Sequence, residues 1–334
     1  MDIEDLFPEN PLEPTVAYIG ISQTPFTVPW AKGRVQLCTG FNSRRTQSDD
    51  LFINRAAFQD IAAIPFQYRE CQITSIRDES GSSSASAYDN NSFAISASVG
   101  GSFLGASGRG TYEKNTRDNR NQSNITVRAD HVCGQIEVSR IPQLAKDAVT
   151  LLSTSADPIN EFRQKYGDFY VAGCRVGAVN NTTISGELTN KSSFEEMHAE
   201  LKFKVVLATF EKSIHEVSKS ASNIGGLNVV AFDSLTDFYS NFTALTYEDS
   251  LKADGVAVAN KEKAMTIANR AADVLLSEFS IGREQNTYIH QGVVDRLCDR
   301  GLVTELLLAP FATLREYQSI LWRRYSWDRF KQLK

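Results

Sequence analysis

Residues 93–103 alternate strictly between two kinds of side chain. Phe93, Ile95, Ala97, Val99, Gly101 and Phe103 stand against Ala94, Ser96, Ser98, Gly100 and Ser102, the period-two pattern of a strand with one apolar face. A polar stretch, 114–123, follows. Ile125, Val127 and Ala129 then alternate with Thr126, Arg128 and Asp130, so the pattern predicts a hairpin of two strands around a polar loop. Residues 197–207 carry two patterns at once. Met197, Ala199, Leu201, Phe203, Val205 and Leu207 share one face of a strand, opposite His198, Glu200, Lys202 and Lys204. Phe194, Met197, Leu201, Val205 and Ala208 are also spaced three or four apart, and Phe210, Ile214, Val217 and Ala221 continue that helical stripe. Ser192 or Ser193 can cap such a helix and Gly225-Gly226 can end it.

The rest of the chain supplies ordinary elements. Positions 33–40 predict a strand entering a Gly40-Phe41-Asn42 turn, 160–165 a helical run, 171–179 a strand and 227–232 a short strand. Residues 260–279 predict a helix with Ala264, Ile267, Ala271, Val274 and Leu275 on one face. A late strand covers 303–308 and closes at Pro310, and a final helix covers 313–324. Residues 1–30, with Pro8, Pro11 and Pro14, form an extended arm. The end of the chain, with Trp322, Arg323, Arg324, Tyr325 and Trp327, is basic and aromatic. Rings packed inward with the arginines solvated are favoured there over a membrane-surface or partner contact.

Composition narrows the function. A chain of 334 residues can bury a large core, and a net charge of −5 argues against nucleic acid as the main partner. The acidic start Met1-Asp2-Ile3-Glu4-Asp5 lacks the basic and apolar features of a secretory signal. No stretch reaches the roughly 18 continuous apolar residues of a membrane helix. The expectation is a protein synthesised in soluble form, then secreted or released to a target membrane. Five separated cysteines without a CxxC pair point to buried packing groups and no zinc site. Residues 81–108 hold Asp89 as their only charged residue. An ordinary half-buried hairpin would also alternate. The lack of charge on both faces, together with many small residues, favours a membrane-spanning strand, which needs about 9–11 residues.

One stretch has a more specific form. Tyr166-Gly167-Asp168-Phe169-Tyr170 is followed after six residues by Gly177-Ala178. It resembles the signature of the membrane-attack-complex/perforin (MACPF) pore formers, Tyr-Gly-Thr-His-aromatic, six residues, Gly-Gly. Tyr166, Gly167, Tyr170 and Gly177 match it, whereas Asp168, Phe169 and Ala178 depart from it. Leu37-Cys38-Thr39-Gly40-Phe41-Asn42 resembles the family's early glycine turn, with Cys38 where glycine is usual. Leu308-Ala309-Pro310-Phe311 with Leu314 is similar to its closing strand. The resemblance covers roughly residues 30–320. It implies an α+β fold, a bent and twisted four-stranded antiparallel sheet flanked by two helical clusters in a single domain, 31–320, with a basic and aromatic helix or tail over 321–334. The clusters, 80–124 and 190–223, would unfurl into membrane hairpins. Phe93, Ile95, Val99 and Phe103 would face lipid in the first, and Met197, Leu201, Phe203, Val205 and Leu207 in the second. The signature lies at the sheet bend, and Gly177, Gly225 and Gly226 are assigned hinge roles.

The expected function is a pore-forming toxin or immune effector. It would oligomerise as a ring on a lipid membrane and, if lytic, dock through a second protein component or a lipid receptor. The alternative is a non-lytic adhesion or assembly protein of the same fold. An enzyme is not expected. His131, His198, His215 and His290 lie in no recognisable motif, and Gly105-Ala106-Ser107-Gly108 is not a nucleophile elbow. No cofactor is expected.

Overall fold

The computed structural model describes residues 21–30, 34–44, 52–81, 123–186, 224–234, 238–245, 273, 275, 277 and 288–332. Among these residues ten strands form one sheet, and every pairing in it is antiparallel. The fold is α+β, as expected. Strands β1 (Phe26–Pro29), β2 (Thr39–Phe41) and β3 (Phe52–Ala56) are short. The long strands are β4 (Phe66–Gly81), β5 (Ser123–Val138), β6 (Phe169–Gly186) and β7 (Ile224–Asp233). Behind them come β8 (Phe238–Leu245), the two-residue β9 (Tyr288–Ile289) and β10 (Val303–Pro310).

β6 is the spine. It pairs with β5 along one side over Gly173–Gly186. On its other side it pairs with β10 over Phe169–Val176 and then with β7 over Asn180–Gly186. β4 lies outside β5, β8 outside β7 and β1 outside β10. Part of the predicted N-terminal arm, Phe26–Pro29, is therefore a sheet strand.

Among the described residues, four helices with both ends defined flank the sheet: α1 (Lys146–Thr154), α2 (Pro158–Tyr166), α3 (Gln291–Asp299) and α4 (Arg315–Gln332). The sequence explains their ends. Asp157 caps α2 by accepting from the Asn160 N–H, with Pro158 in the first turn. The Gln291 side chain ties α3 to the chain before β2, accepting from Leu37 N–H (3.1 Å) and donating to Val35 O (2.7 Å). Glu316 at the start of α4 accepts from Leu144 N–H just before α1 (2.8 Å). Asp273, Leu275 and Ser277 are helical, within the helix expected over 260–279.

Several sequence expectations are corrected. The strand expected over 33–40 is confined to Thr39–Phe41, because Cys38 has a left-handed backbone (φ 69°) that breaks an extended run. Ile125, Val127 and Ala129 do not pair with 93–103. They lie in mid-sheet, opposite Ser80, Asp78 and Ile76 of β4 and Ile184, Thr182 and Asn180 of β6. The strand Phe66–Gly81, absent from the sequence reading, supplies that partner. α4 inverts the expected packing: Trp322 is 70% exposed and Tyr325 51% exposed. Arg324 instead turns back to donate to Leu152 O at the end of α1 (3.3 Å), where a cation meets a helix C-terminus.

The core sits between the β6–β10 end of the sheet and helices α1, α2, α3 and α4. Its largest fully buried rings are Phe41, Phe58, Phe66, Phe162, Phe169 and Phe311. Phe311 is the hub, with ring centroids 5.4 Å from Phe58, 5.1 Å from Phe162 and 5.1 Å from Tyr170. Phe311→Ala is expected to lower stability by about 3–5 kcal/mol, through lost burial and the cavity left behind. The exposed Trp322→Ala should change it by less than about 0.5 kcal/mol. Urea unfolding of both variants checks the contrast.

Candidate functional site

Three of the sequence motifs meet at one place. The early turn lies across the signature, with Gly40 opposite Tyr170 and Phe41 opposite Phe169. The closing strand pairs on the other side, with Pro310 opposite Phe169 and Ala309 opposite Tyr170. The backbones cross so closely that side chains do not fit. A Cβ on Gly40 would stand 1.7 Å from Tyr166 O, and one on Gly167 would stand 2.4 Å from Phe41 O. Gly167 also has φ 91° and ψ 174°, a region essentially reserved for glycine. It ends α2, and its N–H donates to Arg163 O (2.8 Å).

Asp168, a departure from the family signature, fastens this crossing. Its carboxylate accepts from the Ser43 N–H (2.8 Å) and the Ser43 hydroxyl (2.6 Å). Its backbone N–H donates to Phe41 O (3.1 Å), and its carbonyl accepts from Phe311 N–H (3.0 Å). Burial pushes the Asp168 carboxyl above its ordinary range, while the Ser43 hydrogen bonds and Arg163 hold it down. Ser43 was visible in the sequence only as the residue after the glycine turn. Nothing in the spacing linked it to a carboxylate so far along the chain.

A second feature crosses the sheet. Cys71 and Gln72 of β4 stand against Cys133 of β5, between the pairs Glu70–Gly134 and Ile73–Val132. Cys133 is itself extra against β6, between Val132–Gly177 and Gly134–Val176. Thr304 of β10 is extra between Val303–Val176 and Glu305–Arg175. These bulges form one row, and bulges bend and twist strands. Gly177 sits in that row, where a Cβ would stand 1.8 Å from His131 O. There β6 changes neighbour from β10 to β7. Gly177 N–H donates to Leu302 O (2.8 Å), while Val179 and the buried Ser234 exchange hydrogen bonds at 2.9 Å. Tyr68 supports the row from β4, its hydroxyl donating to Cys133 O (3.0 Å). The row lies at Gly177, whereas Tyr166-Gly167 stands at the start of β6. The Tyr166-Gly167 start of the signature, just before β6, and the bulge row are therefore at different levels, and the signature's Gly177 lies in the row.

Gly225 and Gly226 lie inside β7, next to a register shift against β8 between Ile224 and Asn228. They belong to the start of that strand. The lipid-facing candidates Phe93, Ile95, Val99, Phe103, Met197, Leu201, Phe203, Val205 and Leu207 lie outside the described residues.

Burial pushes the Cys38, Cys133 and Cys298 thiols up to about 12, so they stay protonated and poorly nucleophilic. Among the described residues no group of three His, Cys, Asp or Glu side chains could hold a metal ion. No described helix is long and apolar enough to cross a membrane.

No family model and no curated protein matches the sequence. In structure the chain is similar to GNIP1Aa from Chromobacterium piscinae, at 12% identity and a TM-score of 0.34, covering 91% of this chain and 56% of that one. It is similar to stonustoxin at 13% identity and a TM-score of 0.34, covering 92% and 34%. A non-hemolytic pneumolysin from Streptococcus pneumoniae aligns at 8% identity with a TM-score of 0.36, covering 85% and 62%. The chain thus spans less than two thirds of the length of each. At these identities and TM-scores, residue roles rest on this chain's own geometry.

Two substitutions probe the site. Gly167→Ala is expected to cost about 1–3 kcal/mol from backbone strain alone, with the Phe41 collision added, and chemical denaturation reads the loss. His131 is buried, and burial lowers its pKa below the ordinary 6.5. Below pH 6.5 the unfolded chain therefore binds a proton that the folded chain resists. The contribution of this group to stability is constant above pH 6.5 and falls as the pH drops through it. Denaturation midpoints between pH 5 and 8 should show a shallower acid-side decline for His131→Gln than for the parent.

Proposed function

We propose that the chain is a pore-forming protein, which assembles as a homo-oligomeric ring on a membrane and inserts 80–124 and 190–223 as two β-hairpins per subunit. The observation that supports this most is one row of residues across the sheet. Gly81 pairs with Asn124, Ser123 with Gly186, and Gly186 with Leu227. Both long connections, 82–122 and 187–223, therefore leave and return through neighbouring antiparallel strands at the same end of the sheet. Extending β4, β5, β6 and β7 past that row would continue the existing ladders in register.

The sequence pattern agrees. Phe93, Ile95, Val99 and Phe103, and Met197, Leu201, Phe203, Val205 and Leu207, fall on one face of each extension. Physics then demands assembly. In lipid every unpaired backbone group costs several kcal/mol, so the hairpins of one subunit have edges that only a closed barrel of many subunits removes. Among the described residues, β8 and the 73–81 half of β4 have no further strand outside them. Both would serve as edges for neighbouring copies. The docking component on the target membrane is a separate requirement.

Dye release from lipid vesicles tests the proposal. Phe203→Asp places a charge in hydrocarbon, on the order of 2 kcal/mol or more per subunit, and that cost repeats around the ring. It should abolish release while leaving the monomer folded. Lys202→Asp, on the opposite face, should alter ion selectivity with release retained. Release by Phe203→Asp equal to the parent would show that this segment stays out of the membrane. A parent chain that forms rings but releases nothing would favour the non-lytic adhesion or assembly protein.

A further inference from the structure

Beside the signature lies a cleft of about 350 Å³, within the size range of sites that enclose a ligand group. Ile159, Phe162, Phe311 and Leu321 give it apolar walls, and Arg44 and Arg163 stand in the same lining. Among the described residues of its lining Asp168 is the only carboxylate, and Ser43 occupies it through both oxygens. Two guanidinium groups thus face an apolar cleft whose one acid is already engaged. Burial, and after it the charge of Arg44, disfavour the charged form of Arg163, while Asp168 and Asp157 favour it; an incoming anion would act in the same sense as those acids.

The cleft opens onto α4. Gln318 and Leu321 line it, and Trp322 and Tyr325 follow each of them by four residues on the same helical face. Among the described side chains of this helix Trp322 and Tyr325 are large exposed rings, and Arg323 beside them is exposed too. Tryptophan, tyrosine and arginine are the residues that dominate binding energy at protein interfaces.

We propose that the cleft and this face of α4 form a docking site for a partner protein that presents an acidic segment with an apolar anchor. The anchor fills the cleft, its flanking carboxylates meet Arg44 and Arg163, and Trp322 and Tyr325 cover the contact. A bilayer fits less well, and this step rests on the pore-forming function proposed above. The cleft is at the Phe169 end of β6, and the row leading into 82–122 and 187–223 is at the Gly186 end. The strand's 18 residues separate them by about 50 Å at about 3.3 Å per residue, allowing for bending. A membrane entered from one end lies far from the other.

Asp2-Ile3-Glu4-Asp5-Leu6-Phe7-Pro8 in the chain itself has the required chemistry. A labelled peptide of that sequence is the probe, titrated against the full chain by fluorescence anisotropy. Two further peptides replace its acids with lysine, or Ile3, Leu6 and Phe7 with serine. Only the first should bind, in the micromolar range. Arg163→Glu and Trp322→Ser should each weaken it at least tenfold, and Arg69→Glu, on the sheet, should leave it unchanged. Equal binding of all three peptides, or binding of none, overturns the proposal. So does flotation with phosphatidylserine vesicles that depends on Trp322 while no peptide binds, which would make the surface a membrane contact. Dye release from the same vesicles scores pore formation separately: peptide binding without release keeps the partner site and removes the function proposed above.

Discussion

Two backbones cross in contact where Gly40 faces Tyr166 and Gly167 faces Phe41. Much of the upper structure depends on that crossing. It lets β2 lie against the first residues of β6, brings Ser43 onto Asp168, and leaves Phe311 free to fill the space under Phe162 and Tyr170. A side chain at either glycine would push the segments apart, and the carboxylate, the turn and the aromatic cluster would lose their registration together. The hydrogen bonds of Asp168 are strong because one partner is charged. They still require the glycines to set the distance.

The lower structure is built differently. From Gly177 onward β6 gives up β10 and takes β7, and the strands beside it carry bulges at that same level. A bulge leaves one residue outside the ladder and concentrates twist locally. Three of them side by side divide the sheet into two parts that share continuous strands. The upper part is anchored by α1, α2 and α4 and by the aromatic core. Among the described residues the lower part is joined by strand ladders, and there the long connections begin.

The same division explains why the chemistry here is packing and hydrogen bonding. Titratable groups near the bulge row and the crossing are shifted chiefly by burial: His131 downward, Cys133 and Asp168 upward. Burial favours the neutral forms and keeps uncompensated charge out of the core. The guanidinium groups of Arg44 and Arg163 remain at the cleft, beside the apolar surface that α4 exposes.

Periodicity by itself determined a good deal of this protein. The strand at the signature, the late strand closing at Pro310, the helix before Tyr166 and the final helix all follow from local spacing and from proline and glycine punctuation, which act over a few residues. Gly167 and Gly177 were legible as special positions because glycine is needed where backbone has no room. What periodicity could not show is which strands become neighbours. Ile125, Val127 and Ala129 alternate correctly, yet their partner is the charged, weakly patterned Phe66–Gly81, because pairing is chosen by the whole sheet and not by the nearest apolar run. The inversion on α4 has the same origin. Trp322 and Tyr325 point outward because Tyr317 is buried in the core and Arg324 reaches the end of α1. The union of Ser43 with Asp168, and of Asp168 with Phe311, was likewise decided only in three dimensions, since a contact across so much chain leaves no mark on either segment alone.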